Sequence, residues 1–474
     1  MGQQSLKREK SGGNTLIIGV MLSGAFIAVL NQTILSPALP SIMRDMHITA
    51  VEGQWLTTAF MLVNGIMIPI TAYLIDRFTT RQLYLSSMVL FTAGTALAGF
   101  AGSFLLLLIA RILQAMSAGI LMPMIQTVIL LLFPKEKRGS AMGTVGIVIA
   151  FAPAVGPTLA GWMVDAWGWH SVFLVIAPLA AIDVILGCFL LRNVGETGKP
   201  ELDFPSVIVS TLGFGGLLYG FSAAGTYGWG HALTLAPLVV GIVFFILFVR
   251  RQLKLKIPLL QLRVLETKEF SYATIISMII NAALIAGTII TPIYLQNILH
   301  FSAMQSGLVM LPGAIIMGIM SPITGNLFDR FGPRSIAITG LGIMTAFSLF
   351  FVFMDENWSF GFLCMIYTVR MFGMSLVNMP ITTWGLNSLE NRMIAHGSAI
   401  NNTARQVAGS IGTAILITIM TMVTAFSGSA GSVQATLRGM HAAFGVAAGL
   451  SAIALIMAIL FVKREKRIDD IFCD

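Results

Sequence analysis

The sequence predicts an all-α integral membrane protein of fourteen transmembrane helices, built as two six-helix bundles with two extra helices inserted between them. Three observations predict it. Hydrophobic residues make up 56% of the 474 and charged ones only 10%, with a mean hydropathy of +0.88, where soluble domains carry about 25% charge. Fourteen apolar stretches each reach the ~20 residues needed to cross a bilayer. Short motifs from the first third of the chain return in the last third at nearly constant spacing, which makes two halves.

In chain order the apolar stretches run roughly over 14–36, 53–75, 82–101, 104–132, 140–163, 171–191, 205–224, 233–250, 270–295, 304–327, 335–354, 359–384, 398–426 and 440–462. The first is too long for a signal peptide and lacks a cleavage site, so it reads as a span. An even number of spans puts both termini on one side. With the N-terminus in the cytoplasm, 23 of the 28 Lys and Arg fall on that face; Arg44 and Arg438 lie opposite, and Arg111, Arg370 and Arg405 lie at membrane depth. That asymmetry is the positive-inside rule, so the net charge of +8 reports topology and excludes a nucleic-acid partner. The expected setting is a cell membrane crossed many times, with both termini cytoplasmic.

The repeat defines the units. Asp76-Arg77-Phe78-Thr79-Thr80-Arg81 returns as Asp329-Arg330-Phe331-Gly332-Pro333-Arg334 at an offset of 253, Arg111 as Arg370 at 259, and Gly139-Ser140-Ala141 as Gly397-Ser398-Ala399 at 258. Each pair joins span n to span n + 8. The expected units are therefore 1–192, a six-helix bundle; 193–256, two inserted helices; and 257–474, a second bundle with a tail. Repeated halves are the ground plan of secondary transporters, which rock one half against the other around a midplane site. The basic loop from Arg250 to Glu269 reads as a segment lying near anionic lipid heads.

Within span 5, GIVIAFAPAVGPTLAG places Gly146, Ala150, Pro153, Pro157, Ala160 and Gly161 on one side of a helix at 100° per residue. So small a face lets another backbone approach closely, and Gly146, Pro153, Gly156, Pro157 and Gly161 read as a packing hinge. Their spacing resembles the GPxxGG motif of proton-driven efflux pumps. Leu30-Asn31-Gln32-Thr33-Ile34 with Ala38-Leu39-Pro40, the loop Gly325-Asn326-Leu327-Phe328-Asp329-Arg330-Phe331-Gly332, Arg111 with Gln114, and Asn402-Thr403-Ala404-Arg405-Gln406-Val407 extend the likeness. On these motifs the sequence resembles the major facilitator superfamily, in particular the fourteen-span drug:proton antiporters of bacteria. The resemblance implies multidrug efflux across a bacterial plasma membrane by alternating access, driven by a proton gradient and needing no cofactor. It also implies a gate latch in the two loops of Asp76, Arg77 and Arg81 and of Asp329, Arg330 and Arg334; from spacing, Asp76 could pair with Arg81 or Arg138, and Asp329 with Arg330 or Arg334.

Proton coupling needs a group whose pKa moves between dry and wet surroundings. Asp183 is the one acidic residue well inside a span, and an intramembrane carboxylate is a functional candidate. Arg111 is the second candidate, as a relay or cavity cation; a buried structural hydrogen bond is the alternative for Asp183. Many relatives carry an acid where this chain has Asn31, which cannot titrate, so proton-independent or lipid and metabolite export stays open. Asp45 and Glu52, at the outer span ends, are reserves. Polar residues expected to face a cavity are Asn31, Gln32, Arg111, Gln114, Gln126, Asn281, Arg370 and Asn378, among Met, Phe and Leu suited to amphipathic small molecules.

Other classes lack their chemistry. Six histidines stand singly, and three cysteines (Cys188, Cys364, Cys473) are too scattered for a disulfide framework or a metal site. A lipid-modifying enzyme would need a catalytic cluster that is not present, so the chain reads as no enzyme. The expected partners are membrane lipid, amphipathic solutes and protons; an accessory protein is left open.

Overall fold

The structure is a computed structural model and describes residues 2–195, 197–198, 200–427 and 432–462. Lys199 and the basic tail with Cys473 lie outside the described residues, as do the side chains of Lys7, Arg8 and Lys10.

Among the described residues fourteen long helices are found. The first bundle comprises α1 (Gly2–Asp45), α2 (Ala50–Arg77), α3 (Thr80–Gly99), α4 (Phe104–Leu132), α5 (Arg138–Trp167) and α6 (His170–Leu190). Then come α7 (Phe204–Tyr227) and α8 (Ala232–Lys254). The second bundle comprises α9 (Lys268–Asn297), α10 (Ala303–Phe331), α11 (Pro333–Phe350), α12 (Phe360–Asn387), α13 (Ile394–Phe426) and α14 (Val433–Phe461). By length and apolarity, 13 of them qualify to cross a membrane. The exception is α3, whose hydroxyls lower its hydropathy; three of them are satisfied locally, since Ser86, Thr92 and Thr95 each donate to a carbonyl one turn back. The first helix runs to Asp45, beyond the expected end near residue 36, because Pro37 and Pro40 are absorbed without ending it.

Helix starts follow local chemistry. Thr49 and Glu52 form a reciprocal capping box at α2, Thr79 and Gln82 do so at α3, and Ser302 and Gln305 at α10. The first bundle closes over a core that includes Met21, Tyr84, Phe91 and Met124, and the second over Tyr294, Phe351, Tyr367 and Phe444. Inserted helices α7 and α8 pack on each other, and α7 also lies against α2 and α13, beside one seam between the bundles. Trp55 stacks on Tyr219 there with centroids 5.6 Å apart, and Trp229 Nε1 donates to Thr418 Oγ1 at 2.7 Å. Asp203, just before α7, accepts from Arg251 Nη2 at 2.6 Å and from Ser206. The Arg251 hydrogen bond, outweighing partial burial, holds the Asp203 carboxyl down at about 2.

The opposite seam is α5 on α10. The small face of α5 is used unevenly. A Cβ on Gly139 would strike Phe328, Asp329 and the Gly325 carbonyl, and one on Gly325 would strike the Gly139 backbone. Gly143 and Gly146 meet Ser321 in the same way, whereas Gly156 faces Thr33 of α1. Pro153 and Pro157 are exposed, and Gly161 has no neighbour that a Cβ would touch. The close approach is therefore to α10 on the half of α5 nearest Arg138 and to α1 at Gly156 beyond it, and it does not extend to Gly161.

Candidate functional site

Helices that alternate in direction bring the ends carrying most Lys and Arg to one side, called here the basic end. The bundles are joined at that end by polar contacts that no local pairing would make. Asp329, at the end of α10, accepts from the backbone N–H of Gly139 at 2.8 Å and of Ser140 at 2.7 Å, the open first turn of α5. That places a carboxylate on the positive end of a helix dipole. The repeat-related Asp76, at the end of α2, meets His396 in the first turn of α13, with Oδ2 3.1 Å from Nε2. His396 Nδ1 accepts from the Gln261 N–H at 3.2 Å, so Nε2 is the nitrogen that carries a proton toward Asp76. Arg138, almost wholly buried, donates to Phe133 O within its own half and to Asn387 Oδ1 and Asn391 Oδ1 across the seam.

This corrects the pairing expected from spacing. Among the described residues neither carboxylate of the repeated loops bonds to an arginine: Arg81 donates to Cys188 O, Arg334 donates to Ile459 O, and the Arg330 guanidinium lies over the Phe331 ring among its contacts. Both carboxylates instead reach the first turn of a helix in the other half. Gly139 and Ser140 were legible only as a repeat and His396 only as a single histidine; their cross-bundle contacts join residues 190 and 396 − 76 = 320 positions apart.

Deeper, each bundle holds one buried arginine in the same frame. Arg111 on α4 donates to Gln114 Oε1 at 2.8 Å and to the Asn31 carbonyl of α1 at 3.4 Å, and Gln114 in turn donates to Thr95 of α3. The Arg111 guanidinium also lies 4.3 Å from the Phe60 ring centroid. Arg370 on α12 donates to the Ala283 carbonyl of α9 at 2.7 Å and to Ser348 Oγ of α11 at 3.1 Å. Each arginine thus ties the fourth helix of its half to the first and third. Both are only 1–2% exposed, so they do not snorkel to an interface, and they stand behind the cavity wall rather than in it. Asn31, Gln114 and Asn378 are buried too. Gln126 joins the halves, accepting from Ser398 Oγ at 2.8 Å and Asn402 Nδ2 at 2.7 Å.

Asp183 lies inside the first bundle. Its two carboxylate oxygens take Ser23 Oγ at 2.5 Å and Tyr84 Oη at 2.6 Å, and the same two hydroxyls also lie within 2.8 and 2.7 Å of the Val20 carbonyl. Among the described residues no arginine bonds to it. Arg111 and Asp183 are thus in separate networks.

Between the bundles lies a cavity of about 180 Å³. Its polar lining is Gln32, Asn64, Asn281, Asn402, Arg405 and Gln406, and Ala25, Leu121 and Ile149 are among the apolar residues. Only Gln32 and Asn281 belong to the polar set expected from sequence. The signal for three others was present: Asn402, Arg405 and Gln406 stand at i, i + 3 and i + 4, one face of a helix. Arg405 is eleven residues into α13, ~16 Å by helical rise along a helix longer than the ~30 Å bilayer core. A second cleft of about 30 Å³ beside Trp55 and Tyr219 is too small for a drug-sized molecule.

Comparison with known proteins agrees with this architecture. Residues 21–413 match the profile of the Major Facilitator Superfamily. The chain is 49% identical to the uncharacterized MFS-type transporter YcnB of Bacillus subtilis over 97% of both chains. It is 40% identical to the lincomycin resistance protein LmrB of the same organism, covering 95% of this chain and 96% of that one. The multidrug resistance protein B homolog of Mycobacterium tuberculosis is 29% identical over 89% of this chain and 78% of its own. Among solved structures, the human transporter MFSD10 superposes with a TM-score of 0.69 over 94% of this chain and 99% of that chain, at 14% identity, a likeness of fold alone. The chain belongs to the major facilitator superfamily, a family of multi-span membrane transporters.

Proposed function

We propose that this member of the major facilitator superfamily exports amphipathic small molecules from a bacterial cell by alternating access, coupled to inward movement of protons. The observation that carries the export reading is the pair of cross-bundle carboxylate contacts at the basic end, made by Asp329 and Asp76, around a mid-depth cavity. With that end in the cytoplasm, as the positive-inside rule requires, the conformation is closed inward, and breaking those contacts is the step that admits solute from the cell. The relatives named for lincomycin and multidrug resistance support a drug as cargo.

Asp183 supports coupling to protons through a count of hydrogens. As a carboxylate it accepts from Ser23 and Tyr84. As a carboxylic acid it donates to one of them, which then turns its own hydrogen to the Val20 carbonyl. Both protonation states are satisfied by hydroxyl rotation alone. Because Ser23 and Val20 are on α1, which carries Gln32 to the cavity, a change at Asp183 reaches the binding site along one helix. Arg111, held by neutral groups on α1, α3 and α4, is the positioning cation of the same bundle.

The experiment is drug accumulation by cells expressing the protein, with and without a protonophore. Lower steady-state accumulation that rises to the control level on adding the protonophore supports the reading. Equal accumulation in expressing and control cells across lincosamides, dyes and acidic amphiphiles would end it.

A further inference from the structure

The six polar residues of the cavity include one charged group, Arg405, and no Asp or Glu among the described residues lines the cavity. The other five are amides. The buried arginines deeper in each bundle donate to fixed oxygens of their own half, although Arg111 Nε itself has no partner among the described residues. The Arg405 guanidinium, by contrast, has no hydrogen-bond or ion-pair partner among the described residues; only its main-chain carbonyl is engaged, by Asn281 Nδ2 at 2.7 Å. It is partly accessible from the cavity. A cation within a membrane-spanning helix is costly unless partnered, and the described residues give the guanidinium neither an anion nor a hydrogen-bond acceptor.

The neighbouring amides are arranged to accept. Asn402 spends its Nδ2 group on Gln126 and on the Ser398 carbonyl, and Asn281 spends its own on Arg405. Their Oδ1 atoms have no partner among the described residues. The cavity therefore presents a forked cation for an oxyanion, amide oxygens free to accept from N–H or O–H groups elsewhere on the solute, and apolar walls from Ala28, Leu121 and Ile149. A guanidinium fork fits the two oxygens of a carboxylate. We infer that Arg405 is an anion-accepting subsite, and that the cavity takes amphipathic molecules bearing a carboxylate or similar singly charged oxyanion in preference to their cationic counterparts. This rests on reading the cavity as the transport site and names the class of solute it holds.

The test is equilibrium titration of the purified full chain, in neutral-lipid nanodiscs, with two probes that share a fluorophore and differ in charge: dansylglycine, an anion, and the dansyl amide of ethylenediamine, a cation. Wild type binds the anion at least ~10-fold tighter than the cation. Arg405→Gln weakens the anion by ~10- to 100-fold, the range for a hydrogen bond to a charged group, and leaves the cation within about threefold; Arg405→Lys keeps most of the preference. Equal or tighter binding of the cation by wild type overturns the assignment, as does an Arg405→Gln variant that keeps the preference. Should Arg405→Gln melt early and bind neither probe, the wild-type preference and Arg405→Lys carry the test. Export of cations alone would sink the subsite while leaving efflux standing, whereas anion-selective binding with no export would sink efflux and leave the subsite.

Discussion

Replacing Asp329 by Asn should unlatch the basic end. In the closed form the carboxylate accepts from two backbone N–H groups of α5, at 2.8 and 2.7 Å. An Asn keeps one acceptor oxygen and turns its amide nitrogen toward the other N–H, so one hydrogen bond to a charged group, about 1.5–3 kcal/mol, is lost. The negative charge at the helix N-terminus goes as well, worth roughly 0.3–1 kcal/mol. Together these shift the closed–open equilibrium by about 2–4 kcal/mol, or ~30- to 900-fold. A closed form populated at 99:1 would fall to between roughly 3:1 and 1:9. Spin labels on Lys137 and Arg392, which are exposed on opposite halves at the basic end, report this in a background with Cys188, Cys364 and Cys473 changed to Ser. Double electron–electron resonance should show a second, longer distance in Asp329→Asn and a smaller gain in Asp76→Asn, whose partner is the His396 ring rather than two N–H groups. Distance distributions identical to wild type in both variants would falsify the latch.

Further expectations follow from particular contacts. Gly325→Val places a side chain into the Gly139 backbone and should favour the open form, since overpacking costs about 1–3 kcal/mol; the same spin labels read it. Asp183→Asn keeps acceptance from one hydroxyl, so the protein should melt near the wild-type temperature and bind solute, yet gradient-driven transport should vanish; a variant that builds the wild-type solute gradient removes Asp183 from coupling. The Asp203 carboxyl, held to about 2 chiefly by Arg251, titrates higher in the unfolded chain, so its stabilising effect is complete above the ordinary carboxylate range and fades as pH falls toward 2. Melting of wild type should therefore drop over that window, and Asp203→Asn should melt slightly lower at neutral pH and show a shallower drop.

Much of the fold was legible because lipid imposes a length on each helix and leaves backbone polar groups no partner outside it. The duplicated motifs then showed which helices correspond, and Arg111 and Arg370 do occupy matching frames. What spacing could not give was where those side chains end. A membrane-depth arginine may line a cavity or be spent on a neighbouring helix with the same sequence pattern; Ala283 and Ser348 decide it for Arg370, and both lie more than twenty residues away. At the basic end the carboxylates were visible but the N–H groups that donate to Asp329 were not, since Gly139 and Asp329 stand 190 residues apart. Arg405 was visible in a motif, and only the rotation of α13 about its axis turns it to the cavity.

The most direct measurement is proton and solute flux recorded together in proteoliposomes holding the purified protein. An imposed pH gradient, with the membrane potential clamped at zero, should drive solute against its concentration while protons run down theirs, and Asp183→Asn should uncouple the two. Solute that merely equilibrates, at a rate and extent indifferent to the gradient, would contradict the account.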